Sequence, residues 1–241
     1  MSSLQETLVR REEIARATWA FTLDLAGQEF SFRAGQTIDL TFPDPPYQDA
    51  SGNRRTFSLA AAPGRDHLLV ATRVRGSAFK RSLVEAPRGT GLEIEGPFGS
   101  FTLPQRATSL VMLAGGIGVT PFRAMVEDAI ERRLEHSLLL IHSNRTPEET
   151  PFLEELLSWS RSHPRFVYRP TMTQSTNSAK PWAGGRRRVD RELLDDLLPA
   201  DRNGPLYYVA GPERFVKGVV DTLASVNVSE DRIRFEEFPG Y

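Results

Sequence analysis

The sequence predicts two domains: an antiparallel β-barrel of Greek-key type over residues 1–104, followed by a parallel-sheet α/β domain over residues 105–241. Three observations carry this. Up to about residue 103, apolar and polar residues alternate in short runs separated by Gly-containing turns, which is the period of half-buried strands. After Pro104 the apolar runs are short and unbroken, as in strands covered on both faces of a parallel sheet. Stripes at helical spacing lie between those later runs, so strand and helix alternate.

In the first half, Phe21, Leu23 and Leu25 share one face of a strand, with Thr22 and Asp24 on the other. Phe30 and Phe32 repeat the pattern, as do Ile38, Leu40 and Phe42, then Leu68, Val70, Thr72 and Val74, then Leu92 and Ile94. Ala26-Gly27, Ala34-Gly35, Pro63-Gly64 and Arg88-Gly89 mark turns. One helix is expected around residues 78–85. In the second half, residues 110–114, 138–141, 166–168 and 206–209 are the expected strands. Phe122, Met125, Val126, Ala129 and Ile130 form a helical stripe. Phe152, Leu153, Leu156 and Leu157 form another, and Phe215, Val216, Val219, Val220 and Leu223 a third. Residues 174–187 are polar and Gly-rich, and a long surface loop is expected there.

Composition narrows the chemistry. The chain has 241 residues, 39% apolar and 25% charged, with a formal net charge of -1. That balance suits a globular chain and offers no concentrated basic face for nucleic acid. The one basic run, Arg186-Arg187-Arg188, is short. With no cysteine in the sequence, disulfides and cysteine-ligated metal or iron–sulfur sites are excluded within it. The four histidines, His67, His136, His142 and His163, do not fall at ligand spacing. No segment approaches the length of a membrane span. The polar start, Met1-Ser2-Ser3-Leu4-Gln5-Glu6, lacks the apolar core of a signal peptide, and a cytoplasmic location is expected.

The strand at 110–114 feeds into Gly115-Gly116-Ile117-Gly118-Val119-Thr120-Pro121. A strand, a glycine-rich turn and a helix start make an anion site, because free N–H groups and the helix dipole face the negative charge. Pro121 fits the first helical turn, where its missing N–H costs nothing, and Thr120 offers a hydroxyl at the helix entrance. A tight turn without ligand is the competing explanation. Tyr207-Tyr208-Val209-Ala210-Gly211-Pro212 is a second strand ending in Gly-Pro before a helix. Ligands of open parallel sheets bind beyond the carboxyl ends of the strands, so both turns are expected to face one dinucleotide. At a third strand end stand His142-Ser143-Asn144-Arg145, with no acidic residue for a ribose diol. Ser143, Asn144 and Arg145 suit a 2′-phosphate through charge-assisted hydrogen bonds, which favours NADPH over NADH. Arg145 as an ordinary surface residue is the alternative.

In the first half, Arg55-Thr56-Phe57-Ser58 at a strand start presents a cation, a ring and a hydroxyl. With Gly96-Pro97-Phe98-Gly99 and the two glycine turns in this order, the sequence resembles the ferredoxin–NADP+ reductase superfamily over nearly its whole length. The family's flavin motif is R-x-[YF]-[ST], matched by Arg55, Phe57 and Ser58. The resemblance implies that Arg55 neutralises the flavin phosphate, Phe57 packs on the isoalloxazine and Ser58 lies near N5, with Thr56 between them. The family's second flavin loop, G-x-x-S-x-x-L, falls on the stretch containing Thr72, Arg73, Val74, Ala78, Phe79 and Lys80. Its serine is out of register, and Lys80 stands in that place. The backbone of Ala78, Phe79 and Lys80 is expected to meet the pyrophosphate.

Gly116, Gly118, Thr120 and Pro121, with Val119 between them, match the family's nicotinamide-dinucleotide loop. Ala210-Gly211-Pro212 matches a C-G-P motif with the cysteine replaced. Glu236-Glu237-Phe238 resembles the C-terminal E-x-[FY], which makes Phe238 the expected aromatic lid, Glu236 a nearby carboxylate and Tyr241 the rival lid. The resemblance thus implies FAD, with FMN as the alternative, and NADPH or NADH. Hydride passes to the flavin, and electrons go on to a separate ferredoxin, flavodoxin, haem protein or oxygenase component. Reduction of free flavin, or a non-catalytic subunit of the same fold, are the rival functions. There is no G-x-S-x-G elbow and no P-loop, which leaves a serine hydrolase or P-loop NTPase without its central part.

Overall fold

The computed structural model describes residues 4–238. Six antiparallel strands form the first sheet: β1 (Leu4–Ala15), β2 (Thr18–Asp24), β3 (Thr37–Thr41), β4 (Arg54–Ser58), β5 (His67–Arg73) and β6 (Gly91–Phe98). Their spatial order is β4-β3-β6-β1-β2-β5. The two outer strands meet. Leu59, just past β4, bridges Val70 of β5, and the Ala60 N–H donates to the Leu69 carbonyl at 2.8 Å. Closure removes the open edges that a sheet otherwise presents. Phe21, Leu23, Ile38, Leu40, Leu68, Val70, Leu92 and Ile94 fill the interior, the face to which their alternation assigns them. Helix α1 (Ala78–Glu85) buries Phe79 and Leu83 against it.

Two features of this half depart from the sequence pattern. Phe30 and Phe32 are not in a strand. Their rings pack on each other with centroids 6.0 Å apart, and the Arg33 N–H bonds the Gln36 side chain instead of a neighbouring strand. Strand β1 is the opposite case, unannounced by any clean alternation. Register shifts between Leu8 and Arg10 and between Glu13 and Ala15 break its period, as bulges do.

The second sheet is parallel throughout: β7 (Ser109–Gly115), β8 (Ser137–Asn144), β9 (Phe166–Met172), β10 (Leu206–Gly211) and β11 (Ile233–Glu237), in the order β11-β10-β7-β8-β9. Helices α2 (Thr120–Glu131), α3 (Leu153–Ser162), α4 (Arg191–Leu197) and α5 (Glu213–Ser225) cover it. Leu110, Met112 and Leu140 pack with Phe122, Met125 and Leu156 on one face, and Val111, Leu113 and Ile141 with Val216, Val219 and Leu223 on the other. Both faces are covered, which is why these strands read as unbroken apolar runs. Phe152 precedes α3 in the left-handed conformation instead of lying within it. The chain winds outward from β7 to β9, then returns to β10 on the other side of β7. The strand order therefore reverses between β7 and β10, the place where open α/β sheets bind ligands.

The two sheets are held together firmly. Phe101, in the connection after β6, packs on Phe122 and Tyr208 with centroids 5.8 and 4.9 Å apart, and the Tyr208 hydroxyl donates to the Thr102 carbonyl at 2.9 Å. Arg123 of α2 donates to the Ala60 carbonyl of the barrel and, through Nε and Nη2, to both oxygens of Glu155 at 2.8 and 2.7 Å. Glu127 in turn accepts the Ala62 N–H at 2.7 Å.

Candidate functional site

A cleft of about 350 Å3 opens where the sheets meet. Arg55, Thr56, Phe57 and Ser58 of β4 line it, with Ala71 of β5 and Lys80 of α1. Thr120 of α2 joins them, as do Glu236, Glu237 and Phe238 at the end of β11. Residues distant in sequence thus face one cavity of the size that holds a cofactor.

Two cations, Arg55 and Lys80, line the cleft. Arg55 curls over the Phe79 ring at 5.4 Å, and its Nη1 donates to the carbonyls of Ser51 and Gly52 at 2.8 and 3.1 Å. Lys80 donates to the Arg73 carbonyl at 3.2 Å. Burial, and then the Arg55 charge, hold the Lys80 ammonium down to about 8. Two cations facing one cleft suit a phosphate. Phe57 is buried and stacks on Phe79 with centroids 6.1 Å apart, so a ring beneath the cleft is itself fixed by a second ring. Phe79 lies wholly in the barrel core. The Thr56 hydroxyl is committed to Asp39, which also takes Arg54 at 2.7 Å.

The start of α1 is more occupied than its sequence suggests. Ser77 is the N-cap and accepts the Lys80 N–H, while the Ala78 N–H donates to Asp49 at 2.8 Å. The side chain of Lys80 faces the cleft. Thr72 is buried, Arg73 pairs with Glu149 at 2.8 Å, and the Val74 N–H bonds the Ala17 carbonyl. These three link the barrel strand to its surroundings.

Beyond β7 the chain makes a 3-10 turn, Gly116–Val119, before α2 starts at Thr120 with Pro121 in its first turn. The Thr120 hydroxyl donates to the Ile117 carbonyl at 3.1 Å, so it closes the turn and is not offered at the helix entrance. Gly116 has φ +55°, and Gly211 φ +153°. Val119 is fully buried. Pro212 caps α5. The turns after β7 and β10 touch, because the place of a Gly118 Cβ is taken by the backbone of Ala210 and Gly211. At the end of β8, Ser143 is half-buried, Asn144 buried and Arg145 exposed. Asn144 Nδ2 is buried without a hydrogen-bond partner among the described residues.

The Ser58 hydroxyl hydrogen-bonds the Glu236 carboxyl, and burial pushes that carboxyl up to about 7. Glu236 Oε2 is buried and has no partner among the described residues. The Phe238 N–H donates to the Gly211 carbonyl at 2.9 Å, and the ring packs by Ala20, Ala71 and Ile117. Tyr241 lies outside the described residues. No helix among the described residues is long and apolar enough to cross a membrane, and no acidic, His or Cys cluster there suits a metal ion.

The donor set fits a flat cofactor with a phosphate tail. Two cations, apolar surface from Phe57, Ala71 and Phe238, and a hydroxyl–carboxyl pair with a buried oxygen left without a partner among the described residues all line the same cleft. The unpartnered Asn144 amide gives the glycine turns a matching polar neighbour. Sequence reasoning missed Ala71, Asp39 and the Lys80 side chain. The small Ala71 between Val70 and Thr72 was the available signal, since a strand position without bulk leaves room for a ring.

Residues 112–221 match the oxidoreductase NAD-binding domain family. Ferredoxin–NADP reductase B of Sorangium cellulosum is 30% identical over 197 residues, covering 79% of this chain and 78% of that one. The chain belongs to the ferredoxin–NADP reductase family. It is also similar to the flavohemoprotein of Burkholderia sp. (strain TH2), 29% identical over 88% of this chain and 52% of that one. Among solved structures, the Amycolatopsis cytochrome P450 reductase GcoB superposes with a TM-score of 0.82 at 25% identity, over 98% of this chain and 70% of that one. This member of the ferredoxin–NADP reductase family spans about half the length of the flavohemoproteins it matches.

Proposed function

We propose that this chain is the reductase unit of an electron-transfer system, binding FAD in the barrel-side cleft and NADPH or NADH at the strand ends of the parallel sheet. The single observation that carries it is the convergence of Arg55, Phe57 and Ser58 of the barrel with Thr120 and Glu236 of the α/β half on one cleft. When bound, flavin and nicotinamide supply the hydride exchange themselves.

The chain's own residues bind, orient and exclude water. Arg55 and Lys80 hold the phosphate end. Phe57 and Phe238 bound the ring plane and keep solvent from it. Ser58 and Glu236 share a hydrogen bond, and a carboxyl held near 7 keeps a proton beside the site at neutral pH. Asn144 and the glycine turns take the dinucleotide, with Arg145 on the 2′-phosphate. The similarity to a ferredoxin–NADP reductase, a flavohemoprotein and a cytochrome P450 reductase supports a one-electron acceptor of the iron–sulfur, flavin or haem class. With no cysteine in these 241 residues, an iron–sulfur acceptor is a separate domain or protein. The test is anaerobic mixing with NADPH and NADH in parallel. A protein absorbing at about 450 nm that bleaches on mixing bears the proposal out. A colourless protein that cannot be loaded with FAD or FMN refutes it.

A further inference from the structure

His142 has no exposed surface, and the proposed chemistry has no use for it. Both ring nitrogens are bonded, Nε2 at 2.8 Å from the Gly116 carbonyl oxygen and Nδ1 at 2.9 Å from the Tyr168 hydroxyl. A carbonyl only accepts, so Nε2 carries the proton, Nδ1 is the acceptor and Tyr168 donates to it. Burial pushes the imidazole down to about 4 and the Tyr168 hydroxyl up, so both are neutral near pH 7. The line Tyr168–His142–Gly116 runs from β9 through the adjacent β8 and ends just past β7, at the first residue of the 3-10 turn.

The geometry of one peptide bond gives this line a consequence. In a planar trans peptide, the Gly116 carbonyl and the Ile117 N–H point in opposite directions. A carbonyl held against the buried His142 ring turns the Ile117 N–H away from it. The first N–H groups of a helical turn have no acceptor within the turn. A buried histidine in an apolar strand is expensive unless fully bonded, and here one bond holds the loop at Gly116 while the other, to Tyr168 of β9, fixes the ring.

We infer that His142 is a positioning residue for the dinucleotide: its Nε2–H grips the Gly116 carbonyl and so aims the Ile117 N–H at a phosphate of the bound coenzyme. This rests on the proposal that the turn after β7 takes NAD(P)H. Two amide variants separate aiming from mere filling. The Gln amide nitrogen replaces Nε2 and still reaches Gly116. The Asn amide stops at the Nδ1 position and cannot.

Titration calorimetry of the full chain with NADP+ and with NAD+ is the measurement, run well below the melting temperature of each variant. His142→Asn is expected to weaken both coenzymes about tenfold, and His142→Gln about threefold or less, in line with one misdirected charge-assisted hydrogen bond. In turnover, His142→Asn raises KM for the coenzyme with kcat within about twofold, the pattern of lost binding that is uniform between ground and transition states. Equal coenzyme affinity in the Asn and Gln variants overturns the inference even if both melt early, because a purely structural histidine would move only stability. If His142→Asn does not fold, Gln carries the test: affinity reduced tenfold or more in that variant overturns the inference, and affinity kept within threefold supports it. A wild-type chain that binds neither NADP+ nor NAD+ refutes the dinucleotide proposal itself. Loss confined to the Asn variant leaves that proposal standing.

Discussion

A Cβ added to Gly118 would lie 2.6 Å from the Cα of Gly211. The glycine turns after β7 and β10 therefore meet backbone to backbone, and neither can retreat without moving its strand. Gly118→Ala is expected to cost about 3 kcal/mol, the upper range for overpacking. Gly116→Ala meets nothing within 4 Å but keeps φ +55°, so only left-handed strain of about 1 kcal/mol applies. Urea denaturation of the two variants checks the ratio. Equal losses would show that strain, and not contact, governs this junction.

Glu236 should make stability and activity depend on pH in a stated direction. Its carboxyl is raised from 4.5 to about 7, so the folded protein keeps a proton that the unfolded chain loses. Stability therefore falls as pH rises from about 4.5 to about 7 and then levels off. Glu236→Gln keeps an oxygen for the Ser58 hydroxyl and removes the titration. It should melt about 5 °C above wild type at pH 8 and match it at pH 4.5. In the same variant, any step near pH 7 in flavin reduction by NADPH should vanish. Ser58→Ala removes the bond that lowers the carboxyl and should move that step upward.

Lys80 carries the opposite sign. Its ammonium is held down from 10.5 to about 8, so the charged form is disfavoured in the fold. Flavin-free stability should rise as pH passes from about 8 to about 10.5. Affinity for FAD should fall over the same range as the cation is lost. Lys80→Met is expected to weaken FAD about tenfold at pH 7 and to flatten its dependence up to pH 10. A pH-independent FAD affinity in wild type would remove Lys80 from the phosphate contact.

Much of this was legible because the signals are local. Covered strands 110–114 and 206–209 carry unbroken apolar runs, since both faces of the parallel sheet are packed. The barrel strands alternate because only one face is. The Arg55–Ser58 stretch and the glycine turns are contiguous, so motif and element coincide. What escaped depends on partners far along the chain. Strand β11 carries no apolar run because it is an edge strand whose Arg234, Phe235 and Glu237 are exposed. The Lys80 ammonium and the Glu236 carboxyl acquire their character only from burial beside Arg55 and Ser58. His142 looks like an ordinary apolar-strand histidine until Gly116 and Tyr168 are brought to it.

Arg145 stands exposed at the end of β8, beside the buried and unpartnered Asn144 amide. An exposed guanidinium near a 2′-phosphate adds a charge-assisted contact that NADH cannot make. Arg145→Ala should raise KM for NADPH about tenfold and leave NADH within about twofold. The selectivity ratio from parallel assays decides it, and loss should shrink at high salt because the contact is open to screening. Equal effects on both coenzymes would discard the 2′-phosphate role.

Arg123 tests whether the two halves unfold as one. It is 7% exposed and donates to the Ala60 carbonyl on the barrel and to both Glu155 oxygens on α3. Phe152 and Trp159 lie 5.1 and 5.2 Å from its guanidinium. Glu127 keeps Arg65 and the Ala62 N–H without it, so the orphans of Arg123→Leu are Glu155 and the Ala60 carbonyl. Glu155 is one-third exposed and regains water, which holds its share of the cost low. The Ala60 carbonyl has no such recourse. A loss of about 2 kcal/mol follows, less than for a fully buried pair. Its position matters more than its size, because the bond that goes is one between the halves. Wild type should unfold in a single calorimetric transition, and Arg123→Leu should broaden or split it. Arg123→Lys, which keeps the charge but not the fork, should fall between. A variant that melts earlier yet stays a single sharp transition would show that the Phe101, Phe122 and Tyr208 contacts, with those of Glu127 to Ala62 and Arg65, suffice to couple barrel to sheet.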